Sequence, residues 1–552
     1  MIMPARLLCL LLFVSVCSYS QTIVVSPASL RFDTLLVNTK DSLSFRILNN
    51  STDTLKVTDI NTNKPAFVVR DTAFVVLPHD STKVWVYFQT NQNITWDDVV
   101  LIENRGARGT LPVRVSGTAK YAGTAYSTTQ GLRENDLKTA LFNLVNNQTV
   151  LGYNTARDRM YETVDDPLNN DTLECVYTGR KIFAHNRTEA QALNFNAEHT
   201  WPQSNFGSAD PMVSDLNHLY PTDATANSMR ANYPFGPAVS NVTWQVGGSK
   251  LGRNPNGQTV FEPRDIHKGD VARALFYFLL RYPVNYGGFM DANQEFYLRQ
   301  WYSTDPVSQK EILRNNAIAT YQGKRNPLID HPEFIDRITY FRVSTAPTLQ
   351  PDIVASPVSV QFSSVAFGDS SEWKLTIVNR GRAQLSISSI ALQSSSASFA
   401  LLDAPTQVPV DSFRQVRIKF KPDQPNLTYS NTIVIQSNDP NRPSVTVPLS
   451  GSSAGPASVV NPAVPTVTGL SQNYPNPFNP STTVSFALQH SSFASLKVFD
   501  VLGKEVTTLA DERLEAGQHN IVWNATGVAS GVYVCRLSVE GSIYSKRMIL
   551  IR

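Results

Sequence analysis

Glu198 and His199 are neighbours in the stretch Asn194-Phe195-Asn196-Ala197-Glu198-His199-Thr200-Trp201-Pro202, and Asn227 and Arg230 stand three apart further on. Together they hold the parts of a one-metal phosphodiesterase. Glu198 offers a hard anionic oxygen and Asn227 a neutral one, which leaves most of an octahedral Mg²⁺ shell to water and phosphate. An imidazole at His199 can take a proton from water near neutral pH. A metal beside them would offset charge on the phosphorane and on the departing 3′ oxygen. Arg230 can hold a phosphate through two parallel N–H bonds, or pair instead with Asp215 or Asp223. A zinc site built on His199 and His218 is the competing chemistry, but it lacks a third ligand at metal-site spacing.

These side chains need a strand and a helix to bring them together. Leu193, Phe195 and Ala197 alternate, so a strand runs into Glu198 and His199, and Pro202 ends it. Thr222 reads as the N-cap of a helix over residues 223–232, with Asn227 and Arg230 on one face. Amphipathic helices are expected over 132–145, with Leu137, Leu141 and Leu144 on the buried face, and over 269–282. The region from about 122 to 343 holds five of the eight histidines, which marks it as the part with chemistry to do, and it is long enough to bury its own core.

The rest of the 552-residue chain reads as β-rich modules. At about 150 residues per domain, three to four domains are expected. Charged residues make up 17% against a usual share of about 25%, so the chain is too apolar for disorder and too interrupted for a multi-span membrane protein. With 48 basic and 45 acidic residues there is no global basic field, and any affinity for nucleic acid must come from a local cleft. At the start, Arg6 precedes an apolar run over 7–16 and the small residues Ser18 and Ser20, the pattern of a secretory signal peptide. That run is too short to cross a bilayer core of about 30 Å, so the mature chain is expected to have no transmembrane span. Once the signal is lost, Cys175 and Cys535 remain, and both are expected to be unpaired.

Two segments repeat at an offset of 330 residues. Ile23-Val24-Val25-Ser26-Pro27 aligns with Ile353-Val354-Ala355-Ser356-Pro357, and each segment closes on a valine-rich strand with a glycine, Gly117 and Gly451. About seven short alternating runs in each signal an immunoglobulin-like sandwich. A proline- and alanine-rich linker follows. The last stretch opens on Tyr474-Pro475-Asn476-Pro477-Phe478-Asn479-Pro480 and runs through alternating strands, a further β-sandwich.

The middle region resembles the bacterial endonuclease I family, secreted or periplasmic nucleases with a ββα-metal finger. The resemblance rests on an ordered series: Glu198-His199-Thr200-Trp201-Pro202, Asp215-Leu216-Asn217-His218-Leu219-Tyr220-Pro221, Asn227-Ser228-Met229-Arg230-Ala231-Asn232, Lys268-Gly269-Asp270-Val271-Ala272-Arg273 and Tyr321-Gln322-Gly323-Lys324-Arg325-Asn326-Pro327. It implies His199 as general base and Glu198 and Asn227 as ligands of Mg²⁺, with Mn²⁺ or Ca²⁺ as alternatives. It also implies cleavage of DNA, and of RNA in some members, to 5′-phosphate ends. Three departures stand out. The region has only Cys175 where some relatives carry disulfides. The segment 206–212 lacks the relatives' product-stabilising arginine, for which Arg230, Arg325 and Arg273 are candidates. Asn217 stands where histidine is frequent.

The repeats resemble abnormal-spindle/hydin-like sandwiches. The C-terminal stretch resembles the type IX secretion sorting domain, on the Tyr474 run, the Leu502-Gly503-Lys504 turn, Ser530-Gly531-Val532-Tyr533 and Lys546-Arg547. The fold class expected is therefore an α+β nuclease with a ββα-metal finger plus three all-β sandwich modules. The boundaries read 1–20 signal, 21–120 sandwich, 121–346 nuclease, 350–453 sandwich, 454–468 linker and 469–552 sorting domain. Expected partners are DNA, RNA as a second substrate, and the type IX machinery, with a secreted or surface location. The alternative reading is a surface adhesion protein with an inactive nuclease-like insert.

Overall fold

Period-two alternation builds the first repeat into two packed sheets. In the strand Asp80–Gln89, Val84, Val86 and Phe88 are buried while Lys83, Trp85 and Gln89 are exposed. One sheet runs in the order Ile23–Ser26, Lys40–Asn49, Asp80–Gln89, Phe67–Val69, and the other Ser29–Arg31, Leu111–Lys120, Thr95–Arg105, Leu55–Asn61, Phe74–Val76. The second repeat has the same order in both sheets, with Ile353–Ser356, Ser371–Asn379, Ser412–Phe420 and Phe399–Leu402 facing a sheet centred on Thr428–Ser437 and Ser444–Ala454. The structure, a computed structural model, describes residues 23–166, 170–343, 347–455 and 465–551. The expected signal peptide and most of the expected linker lie outside the described residues.

The repeated cores share one packing device. Phe32, Phe67 and Phe88 meet at ring separations of 5.2 to 6.1 Å, and Phe362, Phe399 and Phe420 at 4.9 to 6.0 Å. The closing-strand glycines lie flat against these rings. A Cβ at Gly117 would sit 2.6 Å from the Phe88 ring, and one at Gly451 2.8 Å from Phe420, so no side chain fits either place. The two sandwiches also touch each other. Val99, Leu101 and Val378 form a small shared cluster with Phe413 against it, and the hydroxyls of Thr110 and Ser356 hydrogen bond at 2.7 Å.

Between the repeats lies the α+β region. Helix Lys268–Arg281 runs through its core, with Val271, Leu275, Phe278 and Leu280 buried. The first expected helix spans Glu134–Val145, and its buried face is Leu137, Leu141 and Val145; Leu144 is only partly covered. Strands Phe195–His199 and Leu219–Asp223 pair antiparallel, Glu198 opposite Tyr220 and His199 opposite Leu219. Helix Ala224–Arg230 follows and completes a ββα unit. Its N-cap is Asp223, whose carboxylate accepts from Thr225 N at 2.8 Å and Ala226 N at 3.2 Å. Thr222 is instead a buried strand residue, so the turn comes one residue later than expected. The helix ends at Arg230 because Ala231 leaves the helical region at φ 47°.

The two ends of this region are tied together. Tyr121 donates from its hydroxyl to Glu333 at 2.7 Å, and Glu134 accepts from both the backbone N and the hydroxyl of Thr339 at 2.8 Å.

The C-terminal residues form a separate sandwich of a three-stranded sheet over a four-stranded one, closed around Phe478, Trp523 and Tyr533. Cys175 and Cys535 are both buried and free, as expected. Among the described residues, no helix is long and apolar enough to cross a membrane.

Candidate active site

Glu198 sits at the inner end of its strand, 2% exposed. Its Oε1 accepts from the Tyr177 hydroxyl at 2.7 Å and faces Arg230 Nε at 3.0 Å. The Arg230 contact is an ion pair without hydrogen-bond alignment, since Nε has no hydrogen-bond partner. Glu198 Oε2 makes no hydrogen bond among the described residues. Burial pushes the carboxyl above its ordinary value, and Arg230 and the Tyr177 hydrogen bond offset that in part.

His199 is 6% exposed. Its Nε2 lies 3.1 Å from the Val213 carbonyl. A carbonyl only accepts, so Nε2 carries the proton and Nδ1 keeps its lone pair. Burial first, and then the neighbouring His218 ring, push the His199 pKa down to about 3. The side chain is therefore neutral across the physiological range. His218, 5.4 Å away ring to ring, donates its own Nε2–H to Met212 O at 2.7 Å and meets the Phe278 ring edge-on at 5.0 Å.

Asn227 projects from the helix back onto the strand. Its Nδ2 donates to Asn196 Oδ1 at 2.9 Å and to Ala197 O at 3.3 Å. Both donor hydrogens point at protein, so Oδ1 is the atom left for a ligand. Asn196 and Glu198 are two apart on one strand face. The set thus has two hard oxygens, Glu198 Oε2 and Asn227 Oδ1, on elements bonded to each other, and it suits a small divalent cation such as Mg²⁺.

Arg230 does not reach outward. It is 1% exposed, its Nη1 donates to Ala231 O at 2.7 Å and its Nη2 to Thr200 O at 2.6 Å, and its plane lies over Phe235. The expectation that it grips a phosphate does not fit this placement, because its polar edge is taken up by Glu198 and two backbone carbonyls; neither Asp215 nor Asp223 is its partner. Arg273 is buried against Glu311 at 2.6 and 2.8 Å. Arg325 forms two parallel bonds to Asp330 at 2.6 and 2.7 Å. The other motif residues brace the loop before the second strand. Asp215 accepts from Arg281, Tyr282, Asn217 and Gln148, and Gln322 holds Leu216 N at 2.9 Å.

Several residues at the site were not among those expected. Tyr177 and Asn196 position Glu198 and Asn227. Tyr153 lies 5.4 Å from His199 ring to ring, and Arg157 lies over the Tyr153 ring at 4.2 Å. Arg157 is close enough for its charge to help lower the His199 pKa. Its Nη2 bonds only to exposed Asn154. Asn196 was legible from strand parity, whereas nothing local in the sequence marks Tyr153, Arg157 or Tyr177.

Three family models match the chain. A family model described as Endonuclease I matches residues 133–333, a HYDIN/CFA65/VesB-like Ig-like domain matches 351–452, and a secretion system C-terminal sorting domain matches 472–551. The chain is 31% identical over 260 residues to an extracellular ribonuclease of Bacillus subtilis (strain 168), covering 43% of this chain and 86% of that protein. It is 34% identical over 234 residues to an extracellular ribonuclease of Bacillus amyloliquefaciens, covering 39% and 78%. An extracellular deoxyribonuclease of Aeromonas hydrophila is 28% identical over 175 residues, covering 30% and 75%. The sorting domain places the protein outside the cell or at its surface. With a ββα unit carrying Glu198, His199 and Asn227 inside the matched region, and relatives of this identity and coverage, the chain belongs to the Endonuclease I family and is a hydrolytic nuclease.

Proposed function

We propose that the protein is a secreted, Mg²⁺-dependent, non-specific endonuclease that hydrolyses phosphodiester bonds in DNA and RNA and leaves 5′-phosphate ends. The observation that carries this reading is the fixed tautomer of His199: its Nε2–H is committed to Val213 O, which leaves the Nδ1 lone pair unprotonated on the residue that follows Glu198 in the strand. In the proposed reaction Nδ1 takes a proton from water as the water oxygen attacks phosphorus, and the bond to the 3′ oxygen breaks on the opposite side, that oxygen leaving with the bonding pair and taking a proton from solvent water. Glu198 and Asn227 hold the metal, which when bound supplies positive charge toward the phosphate and the departing oxygen. Arg230 and Tyr177 hold Glu198 in place. Arg157 is the guanidinium with a free edge near His199, and it contacts the phosphate. Relatives named both as ribonucleases and as a deoxyribonuclease support a broad substrate range.

The zinc reading lacks a ligand set: among the described residues no group of three His, Cys, Asp or Glu side chains is placed to hold a metal ion. The test is incubation of the full-length protein with supercoiled plasmid and with structured RNA, in Mg²⁺ and in EDTA. Nicking that requires Mg²⁺ and is lost in His199→Ala is expected. Equal nicking by wild type and His199→Ala would remove the mechanism. Absence of turnover under every metal would leave the adhesion reading in its place.

A further inference from the structure

The outer face of the first sandwich is unlike its counterpart in the second. Along Asp80–Gln89 the outward positions hold Lys83, Trp85, Tyr87 and Gln89. The adjacent strand Lys40–Asn49 adds Lys40 and Arg46, and Arg70 follows the edge strand Phe67–Val69. These four cations are exposed, and none forms an ion pair among the described residues. The outward positions of these strands carry no carboxylate. Trp85 is 40% exposed with Lys83 Nζ 3.9 Å from its ring centre, and Tyr87 is flanked by Lys40 at 4.2 Å and Arg70 at 4.8 Å. A hollow of about 510 Å³ continues the face past Tyr87, lined by Gln89, Gln92 and Trp96.

The second repeat serves as an internal control. Tyr87 pairs across the ladder with Ser42, and the matching pair there is Lys419 with Glu372; Trp85 pairs with Ser44, and the match is Arg417 with Lys374. Both aromatics are absent at those positions, and Arg417 is neutralised by Asp403 at 2.6 Å and Glu372 at 3.4 Å. At these matched positions, rings flanked by unpaired cations thus occur in the first sandwich and not in the second.

We propose that this face binds single-stranded nucleic acid, with bases stacked on Trp85 and Tyr87 and phosphates on Lys40, Arg46, Arg70 and Lys83. Its ligand class rests on the nuclease reading above. Only unpaired bases expose their faces to a side chain, so the face selects single strands. Base stacking on an aromatic ring outweighs an exposed cation–π contact, so an arriving base displaces the cation toward the adjoining phosphate. Asn93, the residue after Gln92 of the hollow's lining, is joined to the nuclease region: its side chain donates to the Thr129 hydroxyl at 3.1 Å and its carbonyl accepts from Gly131 N at 3.0 Å. A strand held here is therefore held beside the enzyme.

The experiment uses full-length protein carrying His199→Ala, in EDTA, with a fluorescent oligothymidylate read by anisotropy. Trp85→Ala/Tyr87→Ala is expected to weaken binding by about tenfold or more, with an unchanged thermal midpoint. Arg46→Gln/Lys83→Gln, which keeps both rings, is expected to flatten the salt dependence. Unchanged oligothymidylate binding in the aromatic variant would overturn the proposal while leaving the nuclease reading untouched. Tighter binding of heparin than of oligothymidylate, lost in the same variant, would overturn it in favour of an anionic glycan. If wild type fails to cleave plasmid yet oligothymidylate binding depends on Trp85, the nuclease reading fails and this one stands.

Discussion

Arg230 Nε lies 3.0 Å from Glu198 Oε1, and both side chains are almost fully buried. A residue that reads in sequence as a phosphate clamp is thus a counter-charge for the carboxylate next to the general base. Removing one partner of such a pair leaves an uncompensated buried charge, at a cost of about 3–5 kcal/mol. Arg230→Gln should lower the urea midpoint accordingly, and adding Glu198→Gln should recover part of the loss. A singly substituted protein as stable as wild type, with weakened substrate binding alone, would return Arg230 to the role of phosphate clamp.

Asn196 steers Asn227 without itself offering a free atom to the metal. Losing such an orienting partner typically weakens metal affinity by about 10- to 100-fold. Asn196→Ala is expected to raise the Mg²⁺ concentration needed for half-maximal cleavage by that order, with the rate at saturating Mg²⁺ close to wild type. A fall in the saturated rate with no shift in the Mg²⁺ requirement would count against this assignment.

Arg157 is half-buried and bonded to an exposed amide, so its removal should leave folding intact. Arg157→Ala is expected to reduce kcat/KM on plasmid by at least about tenfold, the scale of a lost charged hydrogen bond. Arg157→Lys should restore part of it. Wild-type kinetics in Arg157→Ala would leave the phosphate without an assigned cation.

Acid should unfold the protein through its buried imidazoles. Burial pushes His199 down to about 3 and also lowers His218, so both stay neutral in the fold at pH values where the unfolded chain, near 6.5, is protonated. The unfolded state then binds more protons, so stability is complete above about pH 6.5 and falls as pH drops toward the folded values. Each histidine adds a slope of up to about 1.4 kcal/mol per pH unit. His218→Gln should flatten this loss in denaturant titrations run between about pH 6 and pH 4. An unchanged slope would assign acid lability to other groups.

The parts of the site that were legible are those decided locally. Alternation into Glu198 placed the strand, the Asn227 and Arg230 spacing placed the helix, and the ordered motifs pointed to the chemistry. The sandwiches were legible because alternation and the closing glycines recur, and Gly117 and Gly451 turn out to be required by Phe88 and Phe420. What escaped depends on contacts between distant segments. Tyr177 reaches Glu198 across 21 residues, and Tyr153 reaches His199 from a helix with no spacing relation to it. The partner of Arg230 depends on where its helix stops, and Ala231 decides that. The cap slipped from Thr222 to Asp223 because both residue types cap well and both lie on the paired strand, but Thr222 is buried there while Asp223, the last strand residue, reaches the helix N–H groups.

The nuclease region enters and leaves through one doorway, where Tyr121 meets Glu333, while Thr110 and Ser356 already join the two sandwiches directly. The enzyme is thus built like a cassette in a frame that closes without it. Another catalytic unit whose ends lie as near to each other could occupy the same frame and keep the same export address. Lineages carrying this frame could exchange one secreted activity for another without redesigning the scaffold that displays it.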